Sequence, residues 1–263
     1  MVRSGTSAAI VLLVIVASFG AFWVAPAEIT VHPGSFADGC TLAFLFNRGA
    51  DDRFMALAGH CLLDDGQEKV WIGTTGPTVT VDGIPIGHAV YAIWNQKDLN
   101  PLPDPTNPNL PLPADFALVH LDRSIKADAR VCHFGGPTGI DAFTDDTPRI
   151  VHFFGNGEVI ARIQETGTPV TPARTAPAIG FSDPRAVALI GPVGPGDSGM
   201  PVIDDSGRAV GILSHLGSPL GSSFAPVSRL WPHLQRAELM LGVRLKLQTA
   251  PLEPTATPFG SVC

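Results

Sequence analysis

The chain has 263 residues, with 17 Lys and Arg against 24 Asp and Glu, and its formal net charge is -7. It lacks the surplus of cationic side chains that binding to a phosphate backbone requires, so we expect no nucleic-acid partner. Charged residues make up 16% of the chain, and 28 Gly and 25 Pro make up about a fifth of it, which argues against long surface helices and coiled coils. Because 45% of the residues are hydrophobic, the chain can bury a sizeable core, and wholesale disorder is excluded.

The N-terminus has the layout of a secretory signal peptide. Arg3 precedes an apolar run over residues 8–24, and the small-residue triplet Ala25-Pro26-Ala27 follows it. We therefore predict that residues 1–27 are a signal peptide and that the protein is secreted or extracytoplasmic. The apolar run is at the short end of the transmembrane range, so an uncleaved membrane anchor over residues 8–24 is the alternative.

The cysteines of the sequence indicate disulfide bonds. An even number in an exported chain predicts two disulfides, for which three pairings are open. No pair has the two-residue spacing of a zinc ribbon, so we expect no metal there. The four cysteines are Cys40, Cys61, Cys132 and Cys263.

Short apolar or alternating segments recur along the chain with Gly, Pro and Asp between them. They predict strands in closed or sandwiched antiparallel sheets, rather than alternating strand and helix units. Residues 227–241 are the predicted helix, because their apolar side chains fall on one face, and we expect this despite Pro232 in its first turn. Residues 100–113 are rich in proline and predict a stiff, extended segment that faces the solvent. The predicted strands are 41–46, 54–58, 69–73, 79–81, 88–93, 116–121, 150–154, 158–163, 186–190, 200–203 and 209–215.

The strongest chemical signal is the segment Gly-Pro-Gly-Asp-Ser-Gly at residues 194–199. A serine is a poor nucleophile at neutral pH, and it needs a base for its proton and donors for the charge on the attacked carbonyl. Gly196 and Gly199 allow a tight loop in which the N–H groups of Gly196 and Ser198 form an oxyanion hole. Taken alone, this segment is more often an ordinary turn.

A base and a carboxylate lie upstream of this serine. His60 follows a predicted strand in Ala-Gly-His-Cys, although one histidine among 8 is more often structural. Asp115 directly precedes an apolar strand, where an acid is unusual because acids normally sit in water. The paired acids elsewhere, such as Asp51 and Asp52, we interpret as exposed turn residues rather than calcium ligands.

The three motifs Ala58-Gly59-His60-Cys61, Asp115-Phe116-Ala117-Leu118 and Gly196-Asp197-Ser198-Gly199, in this order, resemble those of the chymotrypsin-like (trypsin-like) serine peptidases. The order separates the chain from subtilisins and α/β-hydrolases. The similarity runs from about residue 40 to residue 243. Within the family, the chain is most similar to the secreted bacterial members.

The resemblance implies an all-β fold of two six-stranded antiparallel β-barrels with a C-terminal helix, and a site in the cleft between the barrels. It also implies a disulfide between Cys40 and Cys61, which leaves Cys132 and Cys263 as a second pair whose formation stays open. The expected domains are the leader at 1–27, an N-terminal barrel at 28–135, a C-terminal barrel at 136–247 and a Pro- and Thr-rich tail at 248–263.

The implied function is that of a secreted serine endopeptidase that acts on polypeptides through an acyl-enzyme, as a monomer and with no cofactor or metal. Ser198 would be the nucleophile, His60 the base and Asp115 its partner, with the oxyanion bound by the N–H groups of Gly196 and Ser198. The alternative is a non-catalytic binding protein that keeps the fold. Met200 and His215 leave room for it, because they replace the small residue and the tryptophan that are usual in the family.

Two further expectations concern the surroundings of the serine. The family's Ile-Val-Gly-Gly-like start after a basic residue is absent, so Asp197 needs another cation, for which Arg149 and Arg162 are candidates. Pro192 stands near the position of the buried acid in trypsin-like members, which disfavours cleavage after Arg or Lys and favours a small or medium uncharged side chain. The residues expected to bind the substrate are Pro192, Ser214, His215 and Leu216.

Overall fold

β-Strands make up most of the structure, and one helix follows them near the C-terminal end. The computed structural model describes residues 29–64, 66–71, 76–95, 102–103, 111–112, 114–142, 144–145, 147–157, 172–214 and 224–254. The strands are β1 (Thr30–Val31), β2 (Phe36–Ala37), β3 (Cys40–Thr41), β4 (Leu45–Asn47), β5 (Arg53–Leu57), β6 (Gln67–Val70), β7 (Thr78–Val81), β8 (Ile84–Asn95), β9 (Leu102–Pro103), β10 (Pro111–Leu112), β11 (Ala114–Leu121), β12 (Lys126–Ala127), β13 (Gly139–Ile140), β14 (Arg149–Phe154), β15 (Ala173–Ile179), β16 (Ala186–Ile190), β17 (Pro201–Asp204), β18 (Arg208–Leu213), β19 (Phe224–Arg229) and β20 (Lys246–Leu247).

The first sheet is a curled sheet of nine strands in the order β20-β4-β5-β11-β8-β7-β2-β3, with β6 paired to β8. Its two ends are linked because β3 and β4 belong to one run of chain, residues 40–47. The start of this run pairs with β2, and its end pairs with β5. Counting that run once and setting aside the edge strands β6 and β20 leaves the six strands of a barrel.

The second sheet closes on itself. Its order is β18-β17-β14-β15-β16-β19, and β19 pairs again with β18 to complete a six-stranded antiparallel ring. The short strand β13 adds to β18 in parallel. Together the two sheets confirm the predicted all-β architecture of two barrels.

Apolar side chains form three buried clusters that account for this arrangement. One cluster fills the first sheet, including Met55 and Leu57, and a second fills the closed ring around Phe153. The third joins the two sheets, because Phe116 of β11 and Ile212 of β18 belong to the same cluster. Burial of this shared core fixes how the two sheets face each other.

The helix α1 (Leu230–Leu241) begins three residues later than predicted, because residues 227–229 complete β19 in the ring. Pro232 is tolerated because the first turn of a helix has no internal partner for its N–H groups. Gly242 ends the helix in the left-handed conformation, at φ 66°. Arg236 of the helix pairs with Glu68 of β6 at 2.6 Å, which ties the helix to the first sheet.

Most of the predicted strands coincide with observed ones, and the segment 158–163 lies outside the described residues. Strand β15 was not predicted, because alanine and proline have low strand propensity. Pro177 is accommodated there, since β15 pairs with β16 only at Ala178 and Ile179, beyond the proline.

The Cys40–Cys61 disulfide is present, as the resemblance implied. Cys132 is also disulfide-bonded, and its expected partner Cys263 lies outside the described residues. Residues 1–28 lie outside them too, so the signal peptide stays a prediction. Among the described residues, no helix has the length and apolar character needed to cross a bilayer.

The proline-rich segment 100–113 is described only where Leu102–Pro103 pairs with Pro111–Leu112. Along the chain, this antiparallel pair follows β8, which carries Trp94, and precedes β11, which carries Asp115.

Candidate active site

Asp115 is the buried acid of the site, with only 1% of its surface exposed. It lies at the start of β11, opposite Trp94 of β8. Its Oδ1 accepts a hydrogen bond from the backbone N–H of His60 at 2.9 Å, and its Oδ2 lies 2.7 Å from His60 Nδ1. Since a buried carboxylate is costly unless it is hydrogen-bonded, these contacts explain how an acid is held at the mouth of an apolar strand.

His60 is positioned by the short turn Gly59–Cys61 that follows β5. A side chain on Gly59 would lie 1.9 Å from the carbonyl oxygen of Ile93, so only glycine lets this turn approach β8. The disulfide from Cys61 to Cys40 fixes the other side of the turn. Because Nδ1 faces Asp115, Nε2 is the ring nitrogen left to accept a proton from a substrate or a nucleophile.

Ser214 has a role that its sequence context does not reveal. It directly follows β18, and it was predicted to bind the substrate. Its hydroxyl donates to Asp115 Oδ2 at 2.5 Å. Ser214 therefore helps to hold the carboxylate, across the boundary between the two sheets.

The loop that carries Ser198 begins with a tight turn. The N–H of Asp197 donates to the carbonyl of Gly194 at 3.0 Å, and Gly196 has φ 92°. Proline at the second position and a positive φ at the third define a type II turn, which explains why residues 195 and 196 are proline and glycine.

Two N–H groups of this loop remain available for a ligand. Those of Asp197, Gly199 and Met200 donate to backbone carbonyls. Within the described part of the chain, those of Gly196 and Ser198 do not. These are the two donors that the sequence predicts for an oxyanion hole, and this predicted role is compatible with the hydrogen bonding.

Ser198 is anchored to the first sheet close to His60. Its carbonyl accepts a hydrogen bond from the N–H of Thr41 at 2.7 Å. A side chain on Gly199 would lie 3.0 Å from the backbone nitrogen of Ala58, two residues before His60. In the described structure no hydrogen bond joins Ser198 to His60, so the contact between nucleophile and base stays a prediction.

The partner of Asp197 is Arg174 of β15, and neither of the two candidates from sequence. Asp197 is fully buried, and the two guanidinium nitrogens of Arg174 donate to it at 2.9 and 2.6 Å. Arg149 instead pairs with Asp141 at 3.0 Å, and Arg162 lies outside the described residues. The available signal was an arginine within a run of small residues, which is too weak to single it out.

The remaining predicted residues are placed as follows. The Pro192 ring is exposed, and its carbonyl accepts a hydrogen bond from Arg174 at 2.9 Å. Met200 is completely buried behind the loop, with its sulfur 3.9 Å from the Arg174 guanidinium. His215 and Leu216 lie outside the described residues, so their contact with a substrate stays a prediction.

One cluster of the described residues has the composition of a metal site. Ligand atoms of Cys40, His60 and Cys61 lie within 4.8 Å of one another. The two sulfurs are bonded to each other, whereas cysteine binds metals as the thiolate. These residues therefore do not fit a metal ion.

Comparison with solved structures gives the fold. Thermobifida fusca Protease A aligns over 84% of this chain and 99% of its own length, at 15% identity and a TM-score of 0.50. The chain has the fold of the chymotrypsin-like serine proteases. A Nocardiopsis protease aligns over 84% of this chain and 100% of its own at 14% identity and a TM-score of 0.48. A glutamic-acid-specific serine protease that uses a histidine triad in substrate binding also aligns with the chain. The alignment covers 84% of this chain and 100% of that protease, at 15% identity and a TM-score of 0.49. No protein-family model and no curated protein matches the chain.

In the chymotrypsin-like fold of this chain, the site residues come from both barrels. His60 and Asp115 lie on the first sheet, and Ser198 and Ser214 lie on segments that border the second. The hydrogen bond between Ser214 and Asp115 crosses between the two. The site therefore depends on the packing of the shared core.

Proposed function

We propose that the protein is a serine endopeptidase. The observation that carries this proposal is the buried Asp115, which holds both the backbone N–H and the Nδ1 atom of His60. A carboxylate in this position keeps the imidazole in one orientation and stabilises its protonated form during proton transfer. The chymotrypsin-like fold and the nearby Ser198 loop support the same assignment.

In the proposed reaction, Ser198 Oγ attacks the carbonyl carbon of a peptide bond while His60 Nε2 takes its proton. The N–H groups of Gly196 and Ser198 bind the oxyanion that forms. When the C–N bond breaks, His60 gives the proton to the leaving amine, and Ser198 remains acylated. A water molecule then attacks the acyl-enzyme with His60 again as the base, which releases the acid and restores the serine.

We propose that the substrate residue before the scissile bond is small or medium in size and uncharged. Pro192 has no charge to pair with a cationic side chain, and Asp197 is already paired with Arg174. A peptide library that is cleaved mainly after Arg or Lys would contradict this preference.

We also propose that the protein acts outside the cytoplasm, which the disulfide between Cys40 and Cys61 supports.

An alkyl fluorophosphonate probe tests the reaction, because it reacts covalently with an activated serine. We expect labelling of the wild-type protein, no labelling of Ser198→Ala, and strongly reduced labelling of His60→Ala. Ser206→Ala is the matched control, since Ser206 lies in an exposed turn and its loss leaves the proposed triad intact. Absence of labelling in the folded wild-type protein would support a non-catalytic binding protein instead.

Turnover of denatured casein separates a peptidase from an esterase. We expect the wild-type protein to cleave it, and the Ser198→Ala variant to lose on the order of a millionfold in kcat, as with removal of the serine in another triad protease. Labelling without cleavage of any polypeptide would contradict the endopeptidase assignment.

A further inference from the structure

Thr41 is a fully buried polar residue that contacts the Ser198 loop twice. Its backbone N–H donates to the carbonyl of Ser198 at 2.7 Å. Its hydroxyl donates to the carbonyl of Gly196 at 2.8 Å. One residue of the first sheet thus holds both residues whose N–H groups are the proposed oxyanion donors.

The direction of the hydroxyl bond is fixed by its partners. A carbonyl oxygen can only accept, so the single proton of the Thr41 hydroxyl points to Gly196. The backbone N–H of Asn156 approaches the same hydroxyl oxygen, at 3.5 Å, and can only donate to it. The hydroxyl is therefore oriented on both sides by groups from loops that border the second sheet.

This bond acts on the more flexible of the two central residues of the turn. Pro195 has a φ fixed by its ring, whereas Gly196 can adopt both signs of φ at little cost. The carbonyl of Gly196 is held by the Thr41 hydroxyl, and the N–H of Asp197, in the same peptide unit, is held by Gly194. With that peptide unit fixed at both atoms, fewer backbone rotations are left by which the N–H on the other side of Gly196 could turn away.

We propose that the Thr41 hydroxyl is a positioning group that holds the Gly196 N–H in place to bind the oxyanion. The proposal rests on the proposed peptidase function. It assigns to Thr41 an effect on the rate of the covalent step, and none on the encounter with the substrate. Preorganised donors lose much of their effect when they are free to reorient, which gives the physical reason.

Thr41→Val and Thr41→Ser separate the hydroxyl from the shape of the side chain. Valine has the same shape without the hydroxyl, and serine keeps the hydroxyl without the methyl group. Thr138→Val is the matched control, because the Thr138 hydroxyl also donates to a backbone carbonyl at 2.8 Å, that of Ser206, away from the site.

The measurement is the rate of labelling by an alkyl fluorophosphonate, whose phosphonyl oxygen needs the same two donors. We expect Thr41→Val to lower the maximal labelling rate constant by about 10- to 100-fold, less than or equal to the loss of a whole oxyanion donor. The probe concentration at half-maximal rate and the final labelled fraction should stay as in the wild-type protein. Thr41→Ser should remain within about threefold of the wild-type rate, and Thr138→Val should match it.

Three results would overturn the proposal while leaving the peptidase function intact. These are a Thr41→Val variant that labels at the wild-type rate, a Thr41→Ser variant as slow as Thr41→Val, and a loss confined to the final labelled fraction, which indicates unfolding. A wild-type protein that does not label, while folded, overturns the peptidase function itself and the role of Thr41 with it.

Discussion

Arg174 and Asp197 form a bidentate ion pair directly behind the loop that carries Ser198. The Asp197 side chain is fully buried, and 6% of the Arg174 side chain is exposed. Each carboxylate oxygen also accepts one backbone N–H, from Gly157 at 3.0 Å and from Gly194 at 2.9 Å. The carboxylate is thereby satisfied by groups from within the fold.

Replacement of Arg174 by Gln should destabilise the protein by about 3–5 kcal/mol, because it leaves a buried carboxylate without its cation. Urea unfolding measures this change. Arg48→Gln is the control, since Arg48 pairs with Asp52 on the surface with 54% of its side chain exposed, and such pairs contribute about 0–1 kcal/mol.

Labelling with the fluorophosphonate probe should also be lost in Arg174→Gln at temperatures where the variant is still folded. If this variant were as stable and as reactive as the wild-type protein, the ion pair would not be what holds the Ser198 loop.

Replacement of Ser214 by Ala removes the 2.5 Å hydrogen bond to Asp115 and leaves the two contacts with His60. Hydrogen bonds to charged groups contribute about 1.5–3 kcal/mol. We therefore expect a loss of about tenfold or more in kcat on the best peptide substrate, with KM little changed. A change in KM alone would instead favour the substrate-binding role predicted from the sequence.

Replacement of Gly199 by Ala tests the close contact between the Ser198 loop and the first sheet. The added Cβ would lie 2.4 Å from the carbonyl oxygen of Thr41, at a backbone φ of +85°. Gly83→Ala is the matched control, because Gly83 has φ +75° with nothing within 4 Å of the added Cβ.

The left-handed backbone alone should cost Gly83→Ala about 1–2 kcal/mol. Gly199→Ala adds a steric clash and should lose more than about 3 kcal/mol in urea unfolding, together with its labelling. Equal losses in the two variants would show that the loop can move away from Thr41.

The stability of the protein should fall in mild acid through His32. Burial lowers the pKa of His32 from 6.5 to about 4, against the opposing effect of Asp128, so the folded state favours the neutral ring. Between these two values the unfolded chain binds more protons, and the contribution to stability is complete above about pH 6.5 and is lost as the pH falls towards 4.

The measurement is the free energy of unfolding in urea at pH 7 and pH 5 for the wild-type protein and His32→Asn. Asparagine keeps a polar side-chain group near Ser35, whose hydroxyl lies 3.2 Å from His32 Nδ1, but it does not titrate. The wild-type protein should lose about 2 kcal/mol more than the variant at pH 5. Equal losses would mean that carboxylates common to both proteins account for the whole effect.

Local sequence patterns were sufficient to predict part of this structure. Period-two alternation and the turn residues gave the strands, and the three motifs in their order identified Ser198, His60 and Asp115 as candidates. Where local preference and final structure diverged, long-range pairing prevailed. Residues 227–229 joined β19 rather than the helix, and β15 formed from residues of low strand propensity because neighbouring strands supply its hydrogen bonds.

The contacts between distant polar groups depend on how the two barrels pack, and they could not be predicted from the sequence. Asp197 pairs with Arg174, which is 23 residues away along the chain. Asp115 accepts a hydrogen bond from Ser214, which is 99 residues away, and Gly196 accepts one from Thr41, which is 155 residues away. The neighbours of a serine, a threonine or an arginine in the sequence do not indicate which distant group it will contact. The partner is chosen by the packing of two barrels through one shared core, which brings together segments that the chain itself keeps far apart.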